Sequence, residues 1–373
     1  MSATSTSDRV LVLGRGASGT AAAKLAEADG KSVDFAEGLS LVVASPGVRV
    51  MSELEYGCRA LARLGVRMVA VTGSKGKSSV VKLVADALRL AGRRAVPCGN
   101  YGLPVSEVAL MDPPPEWAVV EVSSFMMETT SLPPATFEAA AILNLQEDHL
   151  DRHGSAEAYH ALKRRLLSMA RPGCAFDMED FGGRAEADGA DALYAGSYFD
   201  NPVLSRNALA ATLLLFAAGV DRETVRRAFR SFEPLPHRMQ TVAVIGGVRY
   251  VDDSKATSIA ALMAGVEMAG DGVRLVAGGL AKGDDPKTAS SLLTNRVKKV
   301  YLIGRCAEEF RSAWSGVVDC EVCGTMERAV ESAKREAEKG DTVLLSPGTA
   351  SFDQFRSFGE RGDVFASLVK KEG

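Results

Sequence analysis

Lys77 and Ser78 are the residues whose spacing most directly suggests chemistry. They belong to Gly73-Ser74-Lys75-Gly76-Lys77-Ser78-Ser79, which follows the apolar run Val69–Val71 and precedes a stretch predicted as helix from Val80 to about Ala91. Strand, glycine loop and helix N-terminus in that order make a phosphate site. Glycines let backbone N–H groups curl around phosphate oxygens, the lysine adds a point charge, and the serine offers a hydroxyl to magnesium. Val71 stands where the general GxxxxGK[ST] pattern has its first glycine. A ligand-free glycine turn is the plain alternative, and Gly-Lys-Ser directly after a strand argues against it.

Further polar groups fall at the ends of apolar runs. Glu121-Val122-Ser123-Ser124-Phe125 closes one, and a carboxylate there suits magnesium or the capping of the next segment. Asn144 to His153, with Glu147, Asp148, His149 and Asp151, closes another; metal or phosphate work and a plain polar loop both fit. Lys163 lies in Leu162-Lys163-Arg164-Arg165-Leu166, which by itself reads as a solvated basic face. His237-Arg238 and Asp252 to Thr257, with Lys255, could clamp anions, as could the Gly278–Gly283 loop with Lys282. Ser346 to Asp353 offers hydroxyls to a polar ligand. Near the start, Gly14-Arg15-Gly16-Ala17-Ser18-Gly19 follows a strand, and Asp34 comes about where a dinucleotide fingerprint has its acid. The segment before the next loop is too short for a full NAD domain, so a reduced nucleotide-binding domain or a packing turn is favoured. Ser45-Pro46-Gly47 ends the following apolar run. Cys320-Glu321-Val322-Cys323 has no second pair and no neighbouring histidine, which disfavours zinc.

The elements that must position these residues alternate. Strands are predicted at Arg9–Leu13, Leu41–Ala44, Met68–Val71, Ala118–Val122, Ala139–Leu143, Arg274–Ala277, Lys299–Ile303 and Thr342–Leu345. Helices are predicted at Val80–Ala91, Ala156–Met169, Ser205–Ala218, Arg222–Phe229, Ser258–Met268 and Met326–Lys339, and a hairpin spans Thr241–Val251. Glu179–Asp200 reads as a connection with little structure. The fold class is α/β, and boundaries near Leu64–Arg67 and Phe232–Pro236 divide the chain into three domains: a reduced Rossmann-like domain over 1–66, a central P-loop domain with mostly parallel sheet over 67–232, and a Rossmann-like domain over 233–373. A net charge of −3 gives no basic footprint for nucleic acid, and no apolar run reaches a membrane span. Scattered cysteines and a short polar N-terminus fit a reduced, cytoplasmic protein.

Taken in order, these motifs resemble the Mur ligase family, most closely its D-glutamate-adding branch. The loop Gly73–Ser79 is similar to the family's ATP loop. Gly99-Asn100-Tyr101-Gly102, Glu121–Phe125 and Glu147-Asp148-His149 are similar to its central signatures. Asn207 to Ala211, His237-Arg238, Asp253–Thr257, Lys282 and the tail Leu345 to Gly362 are similar to its later ones. The resemblance implies a monomer that uses ATP and magnesium to join D-glutamate to UDP-N-acetylmuramoyl-L-alanine through an acyl phosphate. It implies that Gly73, Ser74, Lys75, Gly76, Lys77, Ser78, Ser79, Asn207, Arg238 and Asp253 hold ATP, with metal at Ser78, Glu121, His149 and a carbamylated Lys163. Lys77, Glu121, His149 and Lys163 would be catalytic. Gly16, Ser18, Gly19, Asp34 and Ser45 would face the nucleotide-sugar, with Asn100, Ser123 and His149 on its muramoyl-alanine portion. His237, Lys255, Thr257, Lys282, Ser351 and Phe358 would serve the substrates, the last five D-glutamate. The chain departs from the pattern at Ser74, Ser79, Met126, Val203-Leu204 and Ser258, and is shortened between Asp34 and Leu41 and between Cys174 and Asn207.

Overall fold

The computed structural model describes residues 9–38, 50–146, 150–181 and 189–371. The predicted strand Leu41–Ala44, Ser45 and Glu147-Asp148-His149 lie outside the described residues. The chain forms two compact units, 1–200 with 204–232, and 201–203 with 233–373. Among the described residues, no helix is long and apolar enough to cross a membrane.

In the first unit, β1 (Arg9–Leu13) and β2 (Ser32–Ala36) make, among the described residues, a two-stranded parallel sheet. The helix Ala17–Ala28 between them buries Ala21, Ala23, Leu25 and Ala26, while Leu11 and Leu13 remain 59% and 46% exposed. The larger sheet contains β3 (Arg67–Thr72), β4 (Ala95–Gly99), β5 (Trp117–Glu121), β6 (Ala139–Ile142) and β7 (Ala175–Asp177), all parallel, in the order β4-β5-β3-β6-β7. Val69, Ala70 and Val71 are wholly buried. A strand covered on both faces needs such a continuous apolar run, which is why β3 stands at the centre. The helix Glu53–Arg63, capped by Ser52, places Leu54, Cys58 and Leu61 in the same core as Met68, Ala70, Ala118 and Val120.

The second unit begins with the hairpin β8 (Gln240–Ile245) and β9 (Val248–Asp252), turning at Gly246-Gly247, both at positive φ. A two-residue turn of type I′ requires that conformation at both positions. With β10 (Val273–Gly278), β11 (Val297–Ile303), β12 (Asp319–Gly324) and β13 (Thr342–Leu345) it forms the order β12-β11-β10-β13-β9-β8, parallel except at β8. Apolar clusters cover both faces.

Several expectations change. β2, β4, β7 and β12 were not anticipated, nor were the helices Glu53–Arg63, Ala307–Trp314 and Phe358–Lys370. The stretch 179–200 is not merely a connection, because Asp191–Tyr194 is helical and Phe199 is wholly buried against Phe229 and Phe232. The predicted helix Ala156–Met169 is α-helical only to Arg164 and continues as 3₁₀ turns over Arg165–Met169.

Candidate active site

The helix after β3 begins at Lys77, three residues earlier than its sequence pattern suggests. Gly76, at φ +85, is its N-cap, so Lys77, Ser78 and Ser79 form the first turn, at the positive end of the helix dipole. Glycine is required at 76 twice over. The left-handed conformation disfavours a side chain, and a Cβ would lie 2.2 Å from Asn207 Nδ2. Asn207, 4% exposed on the helix Ser205–Ala217, is thereby set against the loop.

The loop is fastened from the ends of neighbouring elements. Lys75 N–H donates to Asn144 Oδ1 at 2.9 Å, and Asn144 Nδ2 donates back to the Lys75 carbonyl at 3.0 Å. Ser74 N–H donates to the Asn144 carbonyl, while Ser74 Oγ donates to the Gln146 carbonyl and accepts from Gln146 N–H. Two ammonium groups converge on one carbonyl: Lys77 Nζ and Lys163 Nζ each lie 2.9 Å from Gly73 O. Lys77 also reaches Ser74 O at 3.0 Å.

Lys163 is 1% exposed, so the reading of its run as a solvated face is corrected at this residue. Helical spacing explains the difference. Lys163 stands four residues after Tyr159 on the face turned to the loop, its ammonium 4.5 Å from the Tyr159 ring centre. Arg164 points elsewhere and pairs with Asp177 at 3.1 Å. The run holds one buried cation beside exposed ones.

Glu121 ends β5 in register with Val71 of β3, which places it beside the loop. It is 2% exposed; Oε1 accepts from Asn100 Nδ2 at 2.8 Å, and Oε2 is buried with no hydrogen-bond partner among the described residues. A buried carboxylate oxygen without a donor is costly unless a cation reaches it, so this atom fits a divalent ion. Among the described residues no group of three His, Cys, Asp or Glu gathers around one point. Magnesium needs only one or two protein carboxylates when phosphate and water complete its shell. Ser123 caps the next short helix by accepting from Met126 N–H.

In the second unit, three loops follow the adjacent strands β9, β13 and β10. Asp253 is buried, and burial raises its carboxyl to about 7, against the lowering effect of the Ser346 hydroxyl at 2.9 Å and Met239 N–H. Lys255 Nζ stands 3.8 Å from the Phe358 ring centre. Burial lowers the Lys255 ammonium, and the charges of Arg238 and Lys282 lower it further, so the three cations share one neighbourhood. Ser351 is 2% exposed. His237, at φ +60, places Nδ1 2.7 Å from the buried Asp252 carboxylate, and its ring packs edge-on to Phe358.

The predicted residues therefore fall into separate groups. Gly73–Ser79, Asn100, Glu121, Ser123, Lys163 and Asn207 surround the loop after β3. His237, Arg238, Asp253, Lys255, Thr257, Lys282, Ser351 and Phe358 belong to the second unit. Gly16 caps the helix Ala17–Ala28 and Ser18 and Gly19 open it, while Asp34 lies on β2, where it accepts from Arg9 at 2.8 Å on an exposed face. Ser45 and His149 are outside the described residues. Sequence reasoning gave no role to Asn144, Tyr159 or Asp252. The only signal for Asn144 is its place after a buried strand, and for Tyr159 its i,i+4 spacing to Lys163.

The model of the Mur ligase middle domain matches residues 71–181, and that of the Mur ligase, glutamate ligase domain matches residues 237–348. The UDP-N-acetylmuramoylalanine--D-glutamate ligase of Nitratidesulfovibrio vulgaris (strain Hildenborough) is 35% identical, covering 97% of this chain and 96% of its own. The alignment spans 422 positions and this chain has 373 residues, so at least 49 positions fall opposite gaps here. The enzyme of the same name from Thiobacillus denitrificans is 38% identical over 94% of this chain and 84% of its own. The fold is shared with the MurF ligase of Thermotoga maritima in complex with ADP, at a TM-score of 0.63 and 16% identity, covering 97% of this chain and 94% of that one. E. coli FolC in complex with ADP, without folate substrate, gives 0.58 at 18% identity, covering 86% and 95%.

Proposed function

The chain belongs to the Mur ligase family, and on that premise we propose that it is the ATP-dependent ligase that adds D-glutamate to UDP-N-acetylmuramoyl-L-alanine, a step of peptidoglycan synthesis. The observation that carries the reading is Glu121, a buried carboxylate with one oxygen unpaired among the described residues, held beside a lysine-rich phosphate loop.

A carboxylate is a poor electrophile, and its attack on the γ-phosphate of ATP brings two anions together. Transfer of that phosphoryl group gives an acyl phosphate. The D-glutamate amine then attacks the carbonyl, and phosphate leaves with the acyl–oxygen electron pair. The protein must therefore spread negative charge in the first step and position an amine in the second. Lys77 and the N–H groups from Gly73 to Ser79 serve the phosphates. Ser78 and Glu121 would hold magnesium, which when bound neutralises phosphate charge; His149 would support a second ion. Lys163, once its amine has added CO₂ and become a carbamate, would turn from a cation into an anion that supports metal. Asn207, Arg238 and Asp253 would contact ATP, and Lys255, Thr257, Lys282, Ser351 and Phe358 would receive D-glutamate, with His237 nearby. Asn100, Ser123 and His149 would face the muramoyl-alanine portion, and Gly16, Ser18, Gly19, Asp34 and Ser45 the uridine nucleotide. In this reading 1–66 is a shortened nucleotide-sugar domain, 67–232 the ATPase domain and 233–373 the amino-acid domain, in a cytoplasmic monomer.

The test is phosphate release from ATP and magnesium with each component omitted in turn. Release that needs both UDP-N-acetylmuramoyl-L-alanine and D-glutamate is expected. Release that persists without D-glutamate, or no release with both substrates present, would overturn the assignment.

A further inference from the structure

Arg361 is wholly buried, although it lies in the exposed-looking sequence Phe358-Gly359-Glu360-Arg361-Gly362. A buried guanidinium must place its five N–H groups. Nε donates to Ser254 Oγ at 2.9 Å. Nη2 donates to the Ser254 carbonyl at 2.8 Å and the Thr349 carbonyl at 3.2 Å. Nη1 donates to the carbonyls of Thr349 and Ala350 at 3.2 and 3.3 Å. Ser254 Oγ in turn donates to the Phe358 carbonyl at 2.8 Å. Every one of these acceptors is neutral.

One cation therefore ties three backbone segments: the loop after β9, the loop after β13, and the start of its own helix. Lys255 and Thr257 follow Ser254, Ser351 follows Ala350, and Phe358 is the third anchor. The surroundings leave little slack. A Cβ on Gly279 would meet Thr349 Oγ1 at 2.6 Å, and one on Gly362 would meet His237 Nδ1 at 2.2 Å and Asp252 Oδ2 at 2.5 Å. A staple needed only for folding could be apolar, since replacing a buried ion by packed hydrocarbon is often neutral or stabilising. A planar fork of donors fixes the relative position of carbonyls, which hydrocarbon does not.

We propose that Arg361 is a positioning residue for the acceptor amino acid: through the Ser254, Thr349 and Ala350 carbonyls it sets Lys255, Thr257, Ser351 and Phe358 in one arrangement. This rests on the reading of those residues as the D-glutamate site.

The test compares Arg361→Met, Arg361→Lys and Ser254→Ala with the wild type, by steady-state kinetics in each substrate and by amide hydrogen exchange. In Arg361→Met the KM for D-glutamate is expected to rise about 10–100-fold while the KM for the UDP-sugar stays within about 2-fold. Arg361→Lys keeps the charge but loses the fork and falls between. Exchange is expected to quicken at 254–257 and 349–351 together. Should Arg361→Met not fold, Ser254→Ala removes one link, with an expected KM rise of about 3–10-fold. A loss of kcat with the D-glutamate KM unchanged, or exchange that quickens evenly across the unit, would overturn the proposal. A wild type inactive with D-glutamate would overturn the proposed function alone, since the exchange measurement decides the linkage without turnover.

Discussion

The turns after β1 and β3 use the same local device and have different surroundings. Each follows a parallel strand, contains closely spaced glycines and opens a helix. After β3, Asn144, Lys163 and Asn207 come from three other parts of the first unit to pin or crowd the loop. After β1, Gly14 N–H donates to the Ala36 carbonyl and Thr20 Oγ1 to the Arg15 carbonyl, contacts within the same small sheet and its own helix. Its Gly19 has a packing reason, since a Cβ there would lie 2.1 Å from Gly14 O. A glycine turn gains a defined chemistry from the charges and fastenings that neighbouring elements supply, and β3 has neighbours on both sides.

The largest expected effect separates the buried cation of the β3 loop from its exposed neighbour. Lys163→Ala is expected to lower kcat by about 10³-fold or more, because the site loses a group aimed at the loop carbonyl. Added short-chain carboxylates should restore part of the rate if a carbamate is the working form. Arg164→Ala, next in sequence, should leave the rate within about 2-fold. Equal rates for Lys163→Ala and wild type would remove this lysine from the mechanism.

Alanine at the two helix-opening glycines compares the turns directly. Gly76→Ala meets a positive φ and Asn207, and should cost about 2–4 kcal/mol or displace Asn207 with a matching loss of ATP affinity. Gly16, at φ −63 with open space at its Cβ, should accept alanine within about 0.5 kcal/mol. Chemical unfolding of both variants, with ATP-analogue titration, measures this. Similar behaviour at the two positions would mean that surroundings do not separate them.

The smallest effect extends the contrast to carboxylates, from exposed Asp34 to enclosed Asp253. Burial raises Asp253 to about 7 from an ordinary value of 3.8, so between those pH values the folded chain binds more protons than the unfolded one. Stability from this group is therefore greatest below pH 3.8, declines as pH rises through the window, and is lowest above pH 7. Asp253→Asn, which carries no such charge, should gain on the wild type by about 2 kcal/mol or less between pH 5 and pH 8 in urea unfolding. A difference independent of pH would place the charge elsewhere.

What was legible in the chain follows burial. The central strands β3, β5, β6, β10, β11 and β13 were each anticipated, because coverage on both faces demands unbroken apolar runs. The unanticipated strands β2, β4, β7 and β12 are all sheet edges among the described residues. Edges tolerate Pro97 in β4, Asp34 in β2 and the Asp319 and Glu321 of β12, which erase the apolar signal. At the site, the phosphate loop could be read from its glycines, Lys77 and Ser78, because that device is local in sequence. Lys163 could not be read from its own run, since charge density alone does not say which face of a helix turns inward.

The sequence by itself determined the α/β alternation, the phosphate loop and the order of the strand-end motifs, because each depends on residues within a few positions of one another. Tertiary structure alone decided that Lys163 joins Lys77 at the Gly73 carbonyl, that one oxygen of Glu121 is buried without a donor among the described residues, and that Arg361 binds two loops. Those contacts span 90 residues between Gly73 and Lys163 and 107 between Ser254 and Arg361. No local pattern encodes such pairings; they arise when parallel strands bring distant loops to one edge of a sheet.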